Sequence, residues 1–236
     1  MFRQESLDER IRALGLGAPV TIRVSPKARR LSLRVDAAQR GVELVLPRRY
    51  SAEAALGFVA AHRGWIAARI AAMPAPRSLG AGASVPVFGV PHRVCRETDP
   101  SAPTVAITDG EIRVRGDPAH LPRRVRDHLI ALAKRDFAIR AREAAARIGK
   151  SVVRVGVRDP KSRWGSCSSK GALSFSWRLV LAPEAVIDYV VAHEVAHLVE
   201  MNHGPRFWRL VATLVPDSDK PRAWLRRHRL ELLAYA

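Results

Sequence analysis

The stretch Tyr189-Val-Val-Ala-His-Glu-Val-Ala-His-Leu-Val-Glu-Met-Asn-His203 decides how the rest of the chain is read. It holds His193-Glu194-x-x-His197, with a third histidine, His203, six residues further on. Two histidines four apart on a helix share one face, about one turn apart, so both imidazoles can reach one ion. Zinc takes three or four N, O or S ligands at about 2.0–2.3 Å. Glu194 stands beside the first histidine, where such sites place the base that takes a proton from an activated water.

A third ligand separates a site from an accident of spacing. His203 follows the expected helix end, in Asn202-His203-Gly204-Pro205. Asn and Gly tolerate left-handed backbone and Pro205 cannot simply continue the helix, so the chain can turn back there. Glu200 is the rival ligand, but it lies roughly 10 Å along the axis from His193 at about 1.5 Å per residue. Ligands from three successive turns rarely converge on one ion, so His203 is preferred. The plain alternative is a pair of buried histidines in ordinary hydrogen bonds. Against it, Ala185 to Val199 is apolar almost all round, and two histidines and a glutamate inside such a helix are costly without partners or a metal.

Tyr189 to Trp208, with His193-Glu194, His197, Asn202-His203-Gly204-Pro205 and Phe207-Trp208, resembles the YgjP-type family of zinc metallopeptidase-like proteins, which is related to SprT-like and WLM-type proteases. The blocks Lys161-Ser-Arg-Trp-Gly-Ser-Cys-Ser-Ser169 and Leu173-Ser-Phe-Ser-Trp-Arg-Leu-Val-Leu-Ala-Pro183 resemble the same family. The resemblance is specific over about 152–215 and weaker over 20–72. The family often has Asn where this chain has Ser176. The histidine spacing is also similar to that of metzincins, but Glu200 stands where they have glycine, and no Met-turn can be assigned. The resemblance implies a zincin-like catalytic region, a Zn(2+) cofactor and a peptide or protein substrate.

A chain of 236 residues with 47% hydrophobic content can bury a real core, as one large domain or two small ones. No run of about 18 apolar residues is free of charge, and the first ten residues show no apolar signal core, so a cytoplasmic protein without a membrane span is expected. Cys95 and Cys167 form no C-x-x-C pair and suit a reducing compartment. Cys167 is read as a small core residue, with a redox or ligand role the lesser alternative. The net charge of +18 invites a polyanionic partner, yet the excess is spread along the chain and there is no basic tail. Nucleotide or nucleic acid is therefore the secondary partner expected.

Upstream, residues 1–18 read as a partly helical segment ending at Gly15 and Gly17. Val20–Val24, Leu31–Val35 and Val42–Leu46 alternate or run apolar, and predict an antiparallel sheet. Ser51 offers an N-cap to one helix over Ala54 to Met73, with Trp65 packing toward a core. Four further short strands are predicted over 85–115, then a long amphipathic helix from Leu121 to Ile148, stopped by Gly149. Leu129, Phe137 and Ile139 are among its expected apolar positions. Val152–Val157 and Leu173–Leu181 predict a hairpin beside the metal helix, whose edge could hold an extended peptide.

The expected fold is α+β, an N-terminal antiparallel β-rich part packed with a helical catalytic part. The expected division is 1–118 and 119–236, or one continuous domain. The expected function is zinc-dependent hydrolysis, with His193, His197 and His203 on the metal and Glu194 as general base. Arg163 or Tyr189 is the candidate for stabilising an oxyanion or contacting substrate. A metallopeptidase is what the resemblance implies. A phosphoanhydride (nucleotide) hydrolase would need arginines converging on the metal. A nucleic-acid-associated zinc module would need a closed site with no position for water.

Overall fold

The computed structural model describes residues 6–36, 40–160 and 162–235. Met1–Glu5 of the N-terminal segment and Lys161 of the Lys161–Ser169 block lie outside them. The fold is α+β, as expected, and divides into two compact units, Met1–Pro76 and Arg77–Ala236.

The first unit opens with α1 (Leu7–Ala13), where Ser6 and Glu9 form a reciprocal capping box. Its strands are β1 (Val20–Ser25), β2 (Ser32–Asp36) and β3 (Gly41–Pro47), in the order β1-β3-β2. Here the expectation of an antiparallel sheet is corrected. β2 and β3 pair antiparallel, but β1 and β3 run parallel, with Ile22 beside Leu44. The reason lies in β3, which is buried along nearly all its length and takes the centre, leaving the half-exposed β1 and β2 as edges. The single helix expected after Ser51 is two helices, α2 (Ala52–Ala61) and α3 (Arg63–Ala71). The break is at His62, which leaves helical geometry while its Nδ1 sits 2.7 Å from the Phe58 carbonyl oxygen. Trp65 points outward and carries Arg69 over its ring; Ile66 and Val59 hold the core instead.

The second unit contains β4 (Ser84–Val87), β5 (Val90–Glu97), β6 (Val105–Thr108) and β7 (Glu111–Arg115), in the order β4-β5-β7-β6. The long helix α4 (Leu121–Arg147) follows, then β8 (Arg154–Arg158), β9 (Gly165–Cys167) and β10 (Ala172–Ser176). These three form a sheet in the order β8-β10-β9, with β8 parallel and β9 antiparallel to β10, so β9 is an edge. A 3-10 turn, Trp177–Leu181, leads into α5 (Glu184–Ala196), α6 (Pro205–Leu214), α7 (Asp219–Arg227) and α8 (Arg229–Leu233).

The division expected at 118/119 falls inside this second unit. Val85, Val87, Val94, Ile112 and Val114 of the β4-β5-β7-β6 sheet share one core with α4 and α5. The β4–β5 turn also clamps the start of α5. Phe88 donates its N–H to the Val180 carbonyl at 2.7 Å, and a Cβ on Gly89 would meet Pro183 Cα at 2.8 Å. Arg77, the first residue of the unit, pairs with Tyr235 near the other end of the chain.

Three sets of contacts hold α5 and the elements around it. From α4, Arg140 donates to Asp188 on α5 and to Asp136, both at 2.7 Å. In the 3-10 turn that leads into α5, the buried Arg178 donates twice to the Tyr235 carbonyl, at 3.1 and 2.8 Å, and pairs with Asp159. Burial lowers the Arg178 guanidinium to about 10. Finally, α4 lays Leu121, Val125, Leu129, Ala133, Phe137, Ala141 and Ala145 into the core, and Phe137 meets Phe175 of β10 edge to face at 5.7 Å. Ile139, expected among the apolar positions, is exposed. The helix ends in a Schellman motif: Gly149 has φ +64, and Gly149 and Lys150 donate to the carbonyls of Ala146 and Ala145. Among the described residues no helix is long and apolar enough to cross a membrane.

Candidate metal centre

The residues around α5 bury it on nearly every side, which is why its sequence is apolar all round. His193 and Glu194 lie in its last turn, and His197 is its C-cap. The chain then leaves the axis through Leu198–Gly204 and restarts as α6 at Pro205, a residue suited to a first helical position. That turn returns His203 to the face carrying the other two histidines.

The structure therefore brings His193, His197 and His203 together, with one ring nitrogen of each within 4.8 Å of the others. The Nε2 atoms of His193 and His203 are 3.1 Å apart. Two nitrogens each about 2.05 Å from a tetrahedral ion stand roughly 3.3 Å apart, so this spacing fits a shared ion. The Nδ1 of His197 lies 3.0 Å from the Glu200 carbonyl oxygen. A proton there points Nε2 inward, the usual arrangement for a ligating histidine. Glu200, the rival ligand, thus contributes its backbone oxygen, and its carboxylate is outside the histidine group. Burial, and then the neighbouring His197, His203 and Arg222, press His193 down to about 4. It is held neutral, the form a metal requires.

Phe207 forms the floor of the group, with its ring 4.9, 4.6 and 4.6 Å from those of His193, His197 and His203. Trp208 donates its indole N–H to the His203 carbonyl at 3.1 Å and so pins the returning loop.

Glu194 is 6% exposed. Burial raises it to about 7, against the downward pull of Arg163. Its side chain lies against the β9 backbone: a Cβ on Gly165 would come within 2.5 Å of Glu194 Cγ and 2.6 Å of Oε1. Glycine at 165 is what lets the edge strand approach this close. Arg163 is exposed on the adjoining loop, and its charge reaches Glu194. Tyr189 is buried one turn before His193, with ring centroids 6.1 Å apart, and burial raises its phenol. Cys167 is a free thiol outside the histidine group; burial first, and Glu194 second, raise it.

Sequence reasoning missed two contributors. Gly165 gave no signal beyond its place in the Trp-Gly-Ser-Cys block, because its partner is on another element. Arg222 of α7 lies over Trp208, 5.2 Å from the ring centroid, and its charge reaches both His193 and Tyr189. Nothing in the Asp219–Arg227 pattern separates it from its neighbours.

No curated protein gives a significant match to this chain. A crystal structure of the metallopeptidase zymogen abylysin from Pyrococcus abyssi is 23% identical, covers 41% of this chain and 94% of that one, and has a TM-score of 0.36. The family described as YgjP-like, metallopeptidase domain, matches residues 29–228. That span runs from the end of the β1–β2 link past the end of α7, and takes in all three histidines, Glu194 and the edge strand laid against it. The chain belongs to the YgjP-like metallopeptidase-domain family.

Proposed function

We propose that the protein is a zinc-dependent peptidase in which His193, His197 and His203 hold the ion and Glu194 is the general base. The convergence of the three imidazoles beside a buried carboxylate carries this reading. Three nitrogen ligands leave a fourth position open, and the all-imidazole donor set suits zinc. A bound zinc ion would polarise the scissile carbonyl and make an attacking water more acidic.

The chain's own residues supply the rest. Glu194 takes the proton of the attacking water at a carboxylate oxygen and later delivers it to the leaving amine. Burial favours its protonated form, which suits delivery; the nearby positive charge of Arg163 favours the ionised form, which suits acceptance. Arg163 and Tyr189 are the groups we assign to the developing oxyanion. The outer edge of β9 offers backbone groups to an extended peptide passing Glu194.

A second reading has a specific observation behind it. The charges of Arg163 and Arg222 act on Glu194 and His193 from two different elements, as a phosphoanhydride substrate would require. One screen tests both readings: zinc-loaded protein against unstructured polypeptides and against nucleoside triphosphates, beside Glu194→Gln. Cleavage of polypeptide, lost in the variant, supports the first reading; phosphate release, lost in the variant, supports the second. A variant as active as the wild type contradicts both.

A further inference from the structure

On the β8-β10-β9 sheet, Gly156, Ser174 and Ser166 lie side by side across the three strands. They floor a trough of about 920 Å³. Arg154 and Arg158 stand at the two ends of β8, in register with Ala172 and Ser176. Lys134 of α4 and Arg163 complete the cationic lining, and no acidic residue lines the trough. All four cations are exposed; among the described residues no ion pair joins Arg154, Arg158 or Lys134 to a carboxylate, while Arg163 acts on Glu194. The acid nearest in sequence, Asp159, is committed to the buried Arg178. Four like charges are thus gathered around a floor of small residues, two of them serines, and only Arg163 has a carboxylate, Glu194, acting on it.

The trough meets the candidate catalytic site at the edge strand β9: Gly165 lines it, and the opposite face of Gly165, where a Cβ would come within 2.5 Å of Glu194 Cγ, lies against Glu194. We infer that the trough docks an acidic stretch of the polypeptide substrate, next to the bond presented at Glu194. This rests on the peptidase reading above.

Spacing supports the assignment. One face of an extended chain presents a side chain about every 6.6 Å, and residues four apart lie about 13 Å apart. Arg154 and Arg158 are four apart on one strand face, so alternate acidic residues of an extended segment meet them in step. A single-stranded nucleic acid would also bring negative charge, but such sites stack bases on aromatic rings, and no aromatic side chain lines the trough.

The test is binding, which needs no turnover. A fluorescein-labelled peptide of alternating Asp and Ser is titrated with the full chain and followed by anisotropy, beside a peptide of alternating Asn and Ser. The Asp peptide should bind, and the Asn peptide should not. The double variant Arg154→Glu, Arg158→Glu should weaken binding at least about tenfold, and the neutral pair Arg154→Gln, Arg158→Gln by less. Reversing two exposed arginines elsewhere, Arg142→Glu with Arg226→Glu, should change it less than about twofold at moderate salt. Glu194→Gln should bind as wild type does; it thereby separates failure of docking from failure of the peptidase reading. Equal loss in the remote double variant would overturn the inference. So would equal binding of the Asn peptide, or displacement of the Asp peptide by a single-stranded oligonucleotide of the same charge at a lower concentration.

Discussion

Glu194 sits where two requirements meet: it must lose a proton beside a cation, and it is buried where losing one is costly. Glu194→Gln keeps the shape and removes the base, so hydrolysis should fall about 10³-fold with metal content unchanged. In the metal-free protein the same residue has a thermodynamic signature. Its folded value, about 7, lies above its ordinary 4.5, so the folded state holds the proton more tightly. That contribution is fully present below 4.5 and is lost as pH rises through 7. Urea unfolding of metal-free protein should therefore show Glu194→Gln gaining on wild type across this window, by up to about 3 kcal/mol. A constant difference between the two would contradict the burial argument. Gly165→Ala should cost about 10²-fold in activity while the fold survives, because its Cβ displaces the base. The spacing of His193, Glu194 and His197 was legible in the sequence, since one helical turn fixes it. Gly165 was not, because its partner lies on another element and no local pattern records the approach.

At the scale of elements, periodicity served where one element packs by its own repeat. The long helix and its stop at Gly149 were legible, because apolar positions and the C-cap glycine are local signals. The break at His62 was not, since Phe58 and His62 make it through a side-chain contact that helix propensity does not encode. The direction of β1 was hidden too: alternation marks a strand but says nothing of which neighbour it takes. The α6 helix carries a prediction at this scale. Phe207 is fully buried and touches all three histidines. Phe207→Ala should lose about 3–5 kcal/mol in urea unfolding, and zinc titration should show weaker binding. Phe207→Leu should retain most of both. Zinc affinity untouched by the alanine change would mean that α6 does not set the histidine geometry.

For the whole molecule, composition foretold a chain able to bury a core, and the pattern of strands and helices foretold its α+β fold. The strands of 84–115 precede α4 by only a few residues and follow α3 by about a dozen, yet it is with α4 and α5 that they share a core, and they clamp Pro183 at the start of α5. Long-range packing of that kind leaves no periodic trace. Each unit has its own hydrophobic cluster. Residues 77–236 expressed alone should therefore unfold cooperatively and bind one zinc ion, as followed by denaturation and zinc titration. A molten fragment would show that the first unit is needed to complete the second. The central claim, that three histidines and one carboxylate form a zinc-dependent peptidase centre, is tested most directly by assaying polypeptide cleavage by zinc-loaded wild type and Glu194→Gln, with metal content determined on the same samples. The account predicts about one zinc per chain in both and cleavage in the wild type alone. Absence of bound zinc from the wild type after zinc is supplied, or equal cleavage by the two proteins, would contradict it.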